Sequence, residues 1–194
     1  MLNRTPDIRR MVRVAMLSAI AYLLWLPAFE IPMFLPWLKL DFSNVPVLLA
    51  GFAMGPAAGV ATALIKALLH IPMGSSAGIG ELADFLCALA LMLPASLIMK
   101  HIHGAGHRAR AVGGMLLGVV LSVAVSVLAN KYLLLPMYGA LYGMEDLLAL
   151  AENPAIDSVF TLLIYGVVPF NLVKGLVLTL VTGMLYKPLV RFLK

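Results

Sequence analysis

Long apolar segments alternate with short polar stretches along the 194 residues of the chain. Four of them are long enough to cross a membrane, since a helix needs about 20 residues to span a hydrocarbon core of ~30 Å. Two shorter apolar segments lie next to each other and meet at Gly55-Pro56. The pattern predicts an all-α integral membrane protein, with 1–194 forming a single membrane domain. The predicted helices cover about 11–29, 44–54, 56–71, 79–101, 110–135 and 169–190.

Composition agrees with this class. Hydrophobic residues make up 62% of the chain, charged residues only 12%, and the mean hydropathy is +1.01. These values lie far from those of soluble proteins. The net charge of +5 would suit nucleic acid in a soluble protein, but here the cations flank apolar segments. Anionic lipid headgroups, and not nucleic acid, are therefore the expected partners.

Most of the positive charges lie in three clusters, which together hold ten of the 14 Lys and Arg residues. The clusters are Arg4, Arg9, Arg10 and Arg13; Lys100, Arg108 and Arg110; and Lys187, Arg191 and Lys194. Short basic loops stay on the cytoplasmic side of a membrane. An even number of crossings must then separate each pair of clusters, which predicts six transmembrane helices with both termini cytoplasmic.

The same count requires a turn at Gly55-Pro56, because 44–71 must then cross the membrane twice. Proline fits the first turn of a helix that starts there. The alternative is one long kinked helix across 44–71. Downstream, the count leaves 136–168 outside the membrane, and this segment is interrupted by prolines, glycines and acidic residues. It is expected to form an external cap loop, with shorter external connections at about 30–43 and 71–79.

Several polar residues converge on the external side under this topology. Asn171 and Lys174 are three residues apart and share one face of the last helix. Asn130 and Lys131 lie near the external end of the preceding helix, and Lys39 lies in the first external connection. Amides and an ammonium among apolar neighbours suit a flat heteroaromatic ligand with donor and acceptor edges. The alternative, favoured for Lys131, is that the lysines reach out to lipid headgroups.

Lys66 lies inside an apolar helix, where an ionisable group costs about 2.5–3.5 kcal/mol unless it has a partner. Glu81 and Asp84 begin the next helix and are the candidate partners for an interhelical ion pair. A proton relay is the alternative interpretation.

Motifs for enzymatic chemistry are missing from the sequence. It has no Walker A motif, no H-E-x-x-H and no G-x-S-x-G. His101, His103 and His107 have a spacing that metal ligands can adopt, but Arg108 and Arg110 beside them would repel a cation. The sequence therefore predicts that the chain is not an enzyme and holds no metal.

Several stretches resemble the substrate-binding S components of energy-coupling factor (ECF) vitamin transporters, and among these the riboflavin-binding ones. The stretches are 40–46 with 51–59, 65–70 with 78–85, and 169–175. The most specific are D-F-S-x-V-P and P-F-N-x-x-K-G, and the likeness extends over about 9–186. It implies a six-helix S-component fold in the bacterial plasma membrane. It also implies high-affinity riboflavin binding for uptake with a transmembrane T subunit and ABC-type ATPase subunits. Riboflavin would be the transported ligand, and no cofactor is implied.

The resemblance also implies roles for individual residues. Asn130, Asn171 and Lys174 match positions that contact the flavin ring and the ribityl chain. The first external loop, which lines or closes the site, is matched by Lys39, Leu40, Asp41 and Phe42. Asp84 stands where an amide is expected in close relatives, so it receives no ligand role.

A docking role is implied for the first helix. Ala15 and Ala19 match the small residues at which S components dock on the T subunit. Small residues four apart allow another helix to approach closely. Ordinary packing inside the bundle is the alternative.

Two other functions remain open. The chain could be an S component for another vitamin, such as thiamine, biotin or a queuosine precursor. A self-contained secondary transporter is less favoured, because internal repeats and coupling carboxylates at the midplane are not evident in the sequence.

Overall fold

The computed structural model describes residues 8–27, 29–30, 38–74, 77–101, 107–144, 148 and 154–193. The α-helices are α1 Ile8–Trp25, α2 Asn44–Met54, α3 Pro56–His70, α4 Ile79–His101, α5 His107–Ala129, α6 Leu135–Tyr142, α7 Val159–Leu162 and α8 Val168–Leu193. Two π-helical segments, π1 Asn130–Leu134 and π2 Leu163–Val167, and two short strands, β1 Phe29–Glu30 and β2 Lys39–Leu40, complete the elements.

The π segments join helices that follow directly in the chain. α5, π1 and α6 form one continuous helix, and α7, π2 and α8 form another. The described residues thus contain six continuous helices, and the prediction of a helical fold class is confirmed. Three of these helices contain segments long and apolar enough to cross a membrane, namely Ile79–Ile98, Arg110–Leu141 and Val159–Tyr186. α2 and α3 are also apolar but have only 11 and 15 residues.

The expected loop over 136–168 is wrong at both of its ends. The preceding helix continues through Pro136 as far as Tyr142. The last helix begins at Val159, ten residues before Pro169, at which the sequence predicted its start. Both prolines therefore lie inside continuous helices, whereas the sequence analysis had treated them as helix boundaries.

The π segments explain how these helices accommodate proline. In π1 the N–H of Leu135 donates to the oxygen of Asn130, and in π2 the N–H of Val168 donates to the oxygen of Leu163. Each bond spans five residues instead of four, and each proline follows one residue later. A proline in a regular α-helix lacks a donor and clashes with the carbonyl four residues earlier. The wider π turn shifts the register and removes that conflict.

A capping box marks the true start of the last helix. The Ser158 hydroxyl accepts from the N–H of Thr161 at 3.3 Å, while the Thr161 hydroxyl accepts from the N–H of Ser158 at 2.9 Å. Such reciprocal bonds satisfy donors that a helix N-terminus leaves free. Hydrogen bonds from Thr161 and Ser158 also lower the pKa of the neighbouring Asp157 carboxyl.

The turn between α2 and α3 lies at Gly55, as the hydrophobic pattern had indicated. Gly55 has a φ of 92°, a left-handed backbone conformation that glycine adopts without strain. Pro56 is the first residue of α3, where its missing N–H costs nothing. α2 is the central helix of the bundle and packs against α1, α3, α4 and α8.

Glycines bring α4 and α5 into close contact. A Cβ added at Gly118 would lie 2.2 Å from the carbonyl oxygen of Leu91, and one at Gly114 would lie 2.8 Å from the Cα of Ala95. Small residues four apart let two helix backbones approach. Apolar side chains cover the outside of the bundle, as expected of a surface that faces lipid. Examples are Leu64, Leu68, Leu116, Val120, Leu128, Leu176, Leu180 and Met184.

A short antiparallel β-ladder precedes α2. Phe29 pairs with Leu40, and Glu30 pairs with Lys39. The sequence predicts only a connection over about 30–43. The backbone oxygen of Lys39 in this ladder lies 3.5 Å from the Lys174 ammonium of α8.

Candidate ligand-binding site

A cavity of about 100 Å³ lies between β2, the N-terminal halves of α4 and α8, and the region where α5 passes into π1. Its polar wall residues include Lys39, Asn44, Asp84, Cys87, Ser122, Asn130, Tyr138, Asn171 and Lys174. Its apolar wall includes Leu38, Leu91, Leu134, Phe170 and Leu178. An apolar cavity with a few convergent polar groups is the usual form of a small-molecule site.

The two predicted asparagines both lie in the wall of this cavity. Asn130 is the first residue of π1, and its amide nitrogen donates to the oxygen of Ser126 at 2.7 Å. The amide nitrogen of Asn171 donates to the oxygen of Val167, the last residue of π2, at 2.9 Å. Each amide is thus oriented by its own helix. An amide can make further bonds through its second N–H and its carbonyl oxygen.

Lys174, also predicted, lies in the wall between two carboxylates. Its ammonium donates to Asp41 Oδ2 at 2.8 Å and to Asp84 Oδ1 at 3.3 Å, and it lies 3.5 Å from the backbone oxygen of Lys39. Lys39 contributes to the wall itself. Asp41 is 1% exposed and reaches the site through Lys174, not as a wall residue.

Leu40 and Phe42, which the resemblance placed in a loop that lines or closes the site, are not among the wall residues. Leu40 belongs to β2 and pairs with Phe29. Phe42 packs against the apolar core around α2. The Asp41 carboxylate accepts from the N–H of Ser43 at 2.9 Å, a local turn that leads directly into α2. Asp41 contacts Lys174, whereas Phe42 packs against the core.

The network below the cavity was only partly anticipated. Lys66 is fully buried, and its ammonium donates to Asp84 at 2.5 Å, to Asn44 at 2.6 Å and to Ser43 at 2.9 Å. The Asn44 amide donates to the other Asp84 oxygen at 2.9 Å. The expected interhelical ion pair of Lys66 is therefore made with Asp84. Asp84 and Asn44 also lie in the cavity wall, a role that the sequence analysis did not assign.

Glu81, the other candidate partner of Lys66, pairs with His70 instead. The two side chains meet at 2.7 Å. His70 stacks on Trp25 with ring centroids 4.0 Å apart, and the ammonium of Lys66 lies 4.5 Å from the Trp25 ring centroid. A cluster at the ends of α1 and α3 thus continues the polar network away from the cavity.

The remaining predicted residues lie at the surface. Ala15 and Ala19 are exposed on α1, on the side away from the buried Leu17 and Ala21. Lys131 is exposed. Where the structure describes the chain, no group of three His, Cys, Asp or Glu residues is arranged to hold a metal ion. The predicted histidine spacing at 101–107 lies largely outside the described residues.

Comparisons with known proteins agree with this architecture. Residues 9–186 match the family described as ECF transporter, substrate-specific component. The riboflavin transporter RibU of Staphylococcus aureus is 35% identical over 186 residues, covering 96% of this chain and 93% of its own length. The riboflavin transporter FmnP of Bacillus subtilis is 34% identical over 184 residues, covering 92% of this chain and 90% of its own length.

A solved structure of the S component of a bacterial ECF transporter has a similar fold. It superposes with a TM-score of 0.79 at 34% sequence identity, covering 97% of this chain and 99% of that chain. The family resemblance noted in the sequence is thereby confirmed. The chain belongs to the substrate-specific components of ECF transporters, which are transport proteins and not enzymes.

Proposed function

We propose that the chain is the high-affinity riboflavin-binding subunit of an ECF-type importer. The observation that carries this proposal is the convergence of Asn130, Asn171 and Lys174 on one cavity with apolar walls. The names of the relatives, which are riboflavin transporters, point to the same ligand class. The family itself leaves other vitamins open, and the cavity chemistry favours riboflavin among them.

Riboflavin combines a flat apolar ring system with an imide edge that both donates and accepts hydrogen bonds. Burial of the rings among Leu91, Leu134 and Phe170 would supply most of the affinity. The amides of Asn130 and Asn171 can pair with the imide edge in either direction, because an amide has donors and an acceptor. Lys174 would donate to a ring or ribityl oxygen.

The size of the cavity implies that its wall moves when the ligand binds. The volume of about 100 Å³ is smaller than the ~150 Å³ cavity that accepts benzene. The segment at Leu38 and Lys39 belongs to the wall and is tied to α8 through Lys174. Its outward displacement would admit three fused rings. Riboflavin would then compete with Asp41 for Lys174.

Uptake would depend on partner subunits, namely a transmembrane T subunit and ABC-type ATPases. The sequence has no Walker A motif, so ATP hydrolysis must come from other chains. The exposed face of α1 at Ala15 and Ala19 would dock on the T subunit. Its small side chains permit close helix approach.

In the proposed membrane arrangement, 1–194 forms one domain that crosses the bacterial plasma membrane six times. Because short basic loops stay on the cytoplasmic side, both termini and the connection between α4 and α5 would lie in the cytoplasm. The hairpin of α2 and α3 supplies two short crossings inside the bundle. The cavity would then open toward the external side, where the vitamin is captured.

A titration of the purified protein with vitamins tests this function. Riboflavin bound among apolar side chains should lose fluorescence on binding, and the protein isolated from cells should carry the visible absorption band of a flavin. Thiamine and biotin serve as matched competitors and should not displace riboflavin. Binding of thiamine or biotin without any binding of riboflavin would show that the ligand assignment is wrong.

A further inference from the structure

Lys66 is a fully buried cation that the cavity chemistry described above does not use. It is not one of the wall residues, yet two of its hydrogen-bond partners, Asn44 and Asp84, are. A buried ammonium without partners is costly, which explains why Lys66 is paired. It does not explain why the partners are cavity residues.

Asp84 lies between two lysines from different helices. One carboxylate oxygen contacts Lys66 of α3 at 2.5 Å, and the other contacts Lys174 of α8 at 3.3 Å. The Asn44 amide holds the second oxygen at 2.9 Å. The orientation of the Asp84 carboxylate toward Lys174 is therefore set by residues behind the cavity wall.

The charges in this cluster balance. Two ammonium groups, on Lys66 and Lys174, face two carboxylates, on Asp41 and Asp84. Lys174 contacts both carboxylates, and its contact with Asp41 is the shorter one. Without Lys66, Asp84 would lose its shorter ion pair, and Lys174 would be the remaining cation in contact with it. Attraction between opposite charges is strong where water is excluded, so Lys174 would shift toward Asp84.

We propose that Lys66 is a positioning residue of the ligand site, which acts through Asp84 to hold the Lys174 ammonium in the position from which it contacts the bound vitamin. The identity of that vitamin rests on the function proposed above. The position of Lys174 between two carboxylates does not rest on that function, because it follows from contacts among the protein's own side chains. The two parts can therefore be tested separately.

A double-mutant cycle tests whether Lys66 acts through Asp84. Lys66→Met, Asp84→Asn and the combined variant are titrated with riboflavin, with Lys131→Met as an exposed control. Each single change should weaken binding by about tenfold, the loss expected for one misplaced charged hydrogen bond. Lys174 would shift toward Asp84 when Lys66 is removed and toward Asp41 when Asp84 is neutralised. The combined variant should also be about tenfold weaker, whereas independent effects would multiply to about a hundredfold. A hundredfold loss would overturn the proposal, as would unchanged binding in Asp84→Asn.

The test of whether Lys66 acts through Asp84 does not require Lys66→Met to fold. If the buried carboxylate left in that variant prevents folding, Lys66→Gln, which keeps a hydrogen-bond donor but loses the charge, replaces it in the cycle. Asp84→Asn and the charge-balanced double variant should bind riboflavin about tenfold more weakly than the unmodified protein and equally well as each other. A further loss in the double variant would mean that Lys66 acts by another route.

A second readout needs no vitamin. Reductive methylation with formaldehyde and cyanoborohydride, followed by peptide mass spectrometry, reports how firmly each lysine is held as an ammonium. Lys174 should react about threefold more slowly in Lys66→Met, where it has Asp84 to itself, and about threefold faster in Asp84→Asn. Lys131 serves as the internal reference. Equal reactivity of Lys174 in all variants would overturn the positioning role, while failure of the unmodified protein to bind riboflavin would overturn only the ligand assignment.

Discussion

Asn171→Ala isolates the contribution of one cavity amide to ligand binding. Asn171 is 8% exposed, and its nitrogen bonds to the carbonyl of Val167 in its own helix. The substitution leaves no buried charge, so the cost to folding should be about 0.5–1.5 kcal/mol. A bound flavin, by contrast, would lose a partner for a desolvated polar group, at about 1–3 kcal/mol. That loss corresponds to a roughly 5- to 150-fold weaker affinity.

The assay is a titration of each purified variant followed by quenching of flavin fluorescence. Lys131→Ala is the matched control, since Lys131 is exposed and should affect binding far less. Thermal unfolding in the same detergent verifies that Asn171→Ala remains folded. Equal affinity of Asn171→Ala, Lys131→Ala and the unmodified protein would refute the assignment of the cavity amides to the ligand.

Three further predictions concern stability, assembly and topology. Lys174→Met should lower the free energy of unfolding by about 3–5 kcal/mol, because two buried carboxylates lose their shared ammonium. Chemical denaturation measures this free energy, and a loss below about 1 kcal/mol would contradict the prediction. Leucine at Ala15 and Ala19 should abolish co-purification with the T subunit but leave riboflavin binding intact, and the reverse outcome would indicate internal packing. A cysteine at Gly104 should be labelled from the cytoplasm and one at Ala151 from outside, whereas labelling from the same side would contradict six crossings.

The hydrophobic pattern was sufficient to predict the helices, because each needs an apolar face or a buried segment of suitable length. The turn at Gly55 was predictable from the glycine and the proline that follows it. The continuation of the helices through Pro136 and Pro169 was not predictable in this way. A proline usually ends a helix, and the residues around Pro136 and Pro169 do not distinguish that case from one in which a π turn accommodates the proline.

The candidate site was predictable where a residue is unusual for its surroundings. Asn130, Asn171 and Lys174 are polar residues in apolar helices, and all three line the cavity. Asp84 lies in the wall as well but received no ligand role, because it stands where an amide is expected in close relatives. Its pairing with Lys66 was one of two that the sequence left open, since Glu81 begins the same helix. Phe42 was assigned to the site only through its match to the first external loop of the family, which did not reveal that it packs against the core.

Protection of Cys87 from alkylation tests most directly whether riboflavin occupies this cavity. Cys87 is the single cysteine of the chain and lies in the cavity wall. At a riboflavin concentration about 100 times the dissociation constant only ~1% of the protein remains free, so modification by a small uncharged thiol reagent should slow by about a hundredfold. Thiamine at the same concentration should have no effect. Unchanged modification of Cys87 while riboflavin is bound would show that the vitamin binds elsewhere, and would contradict the proposed site.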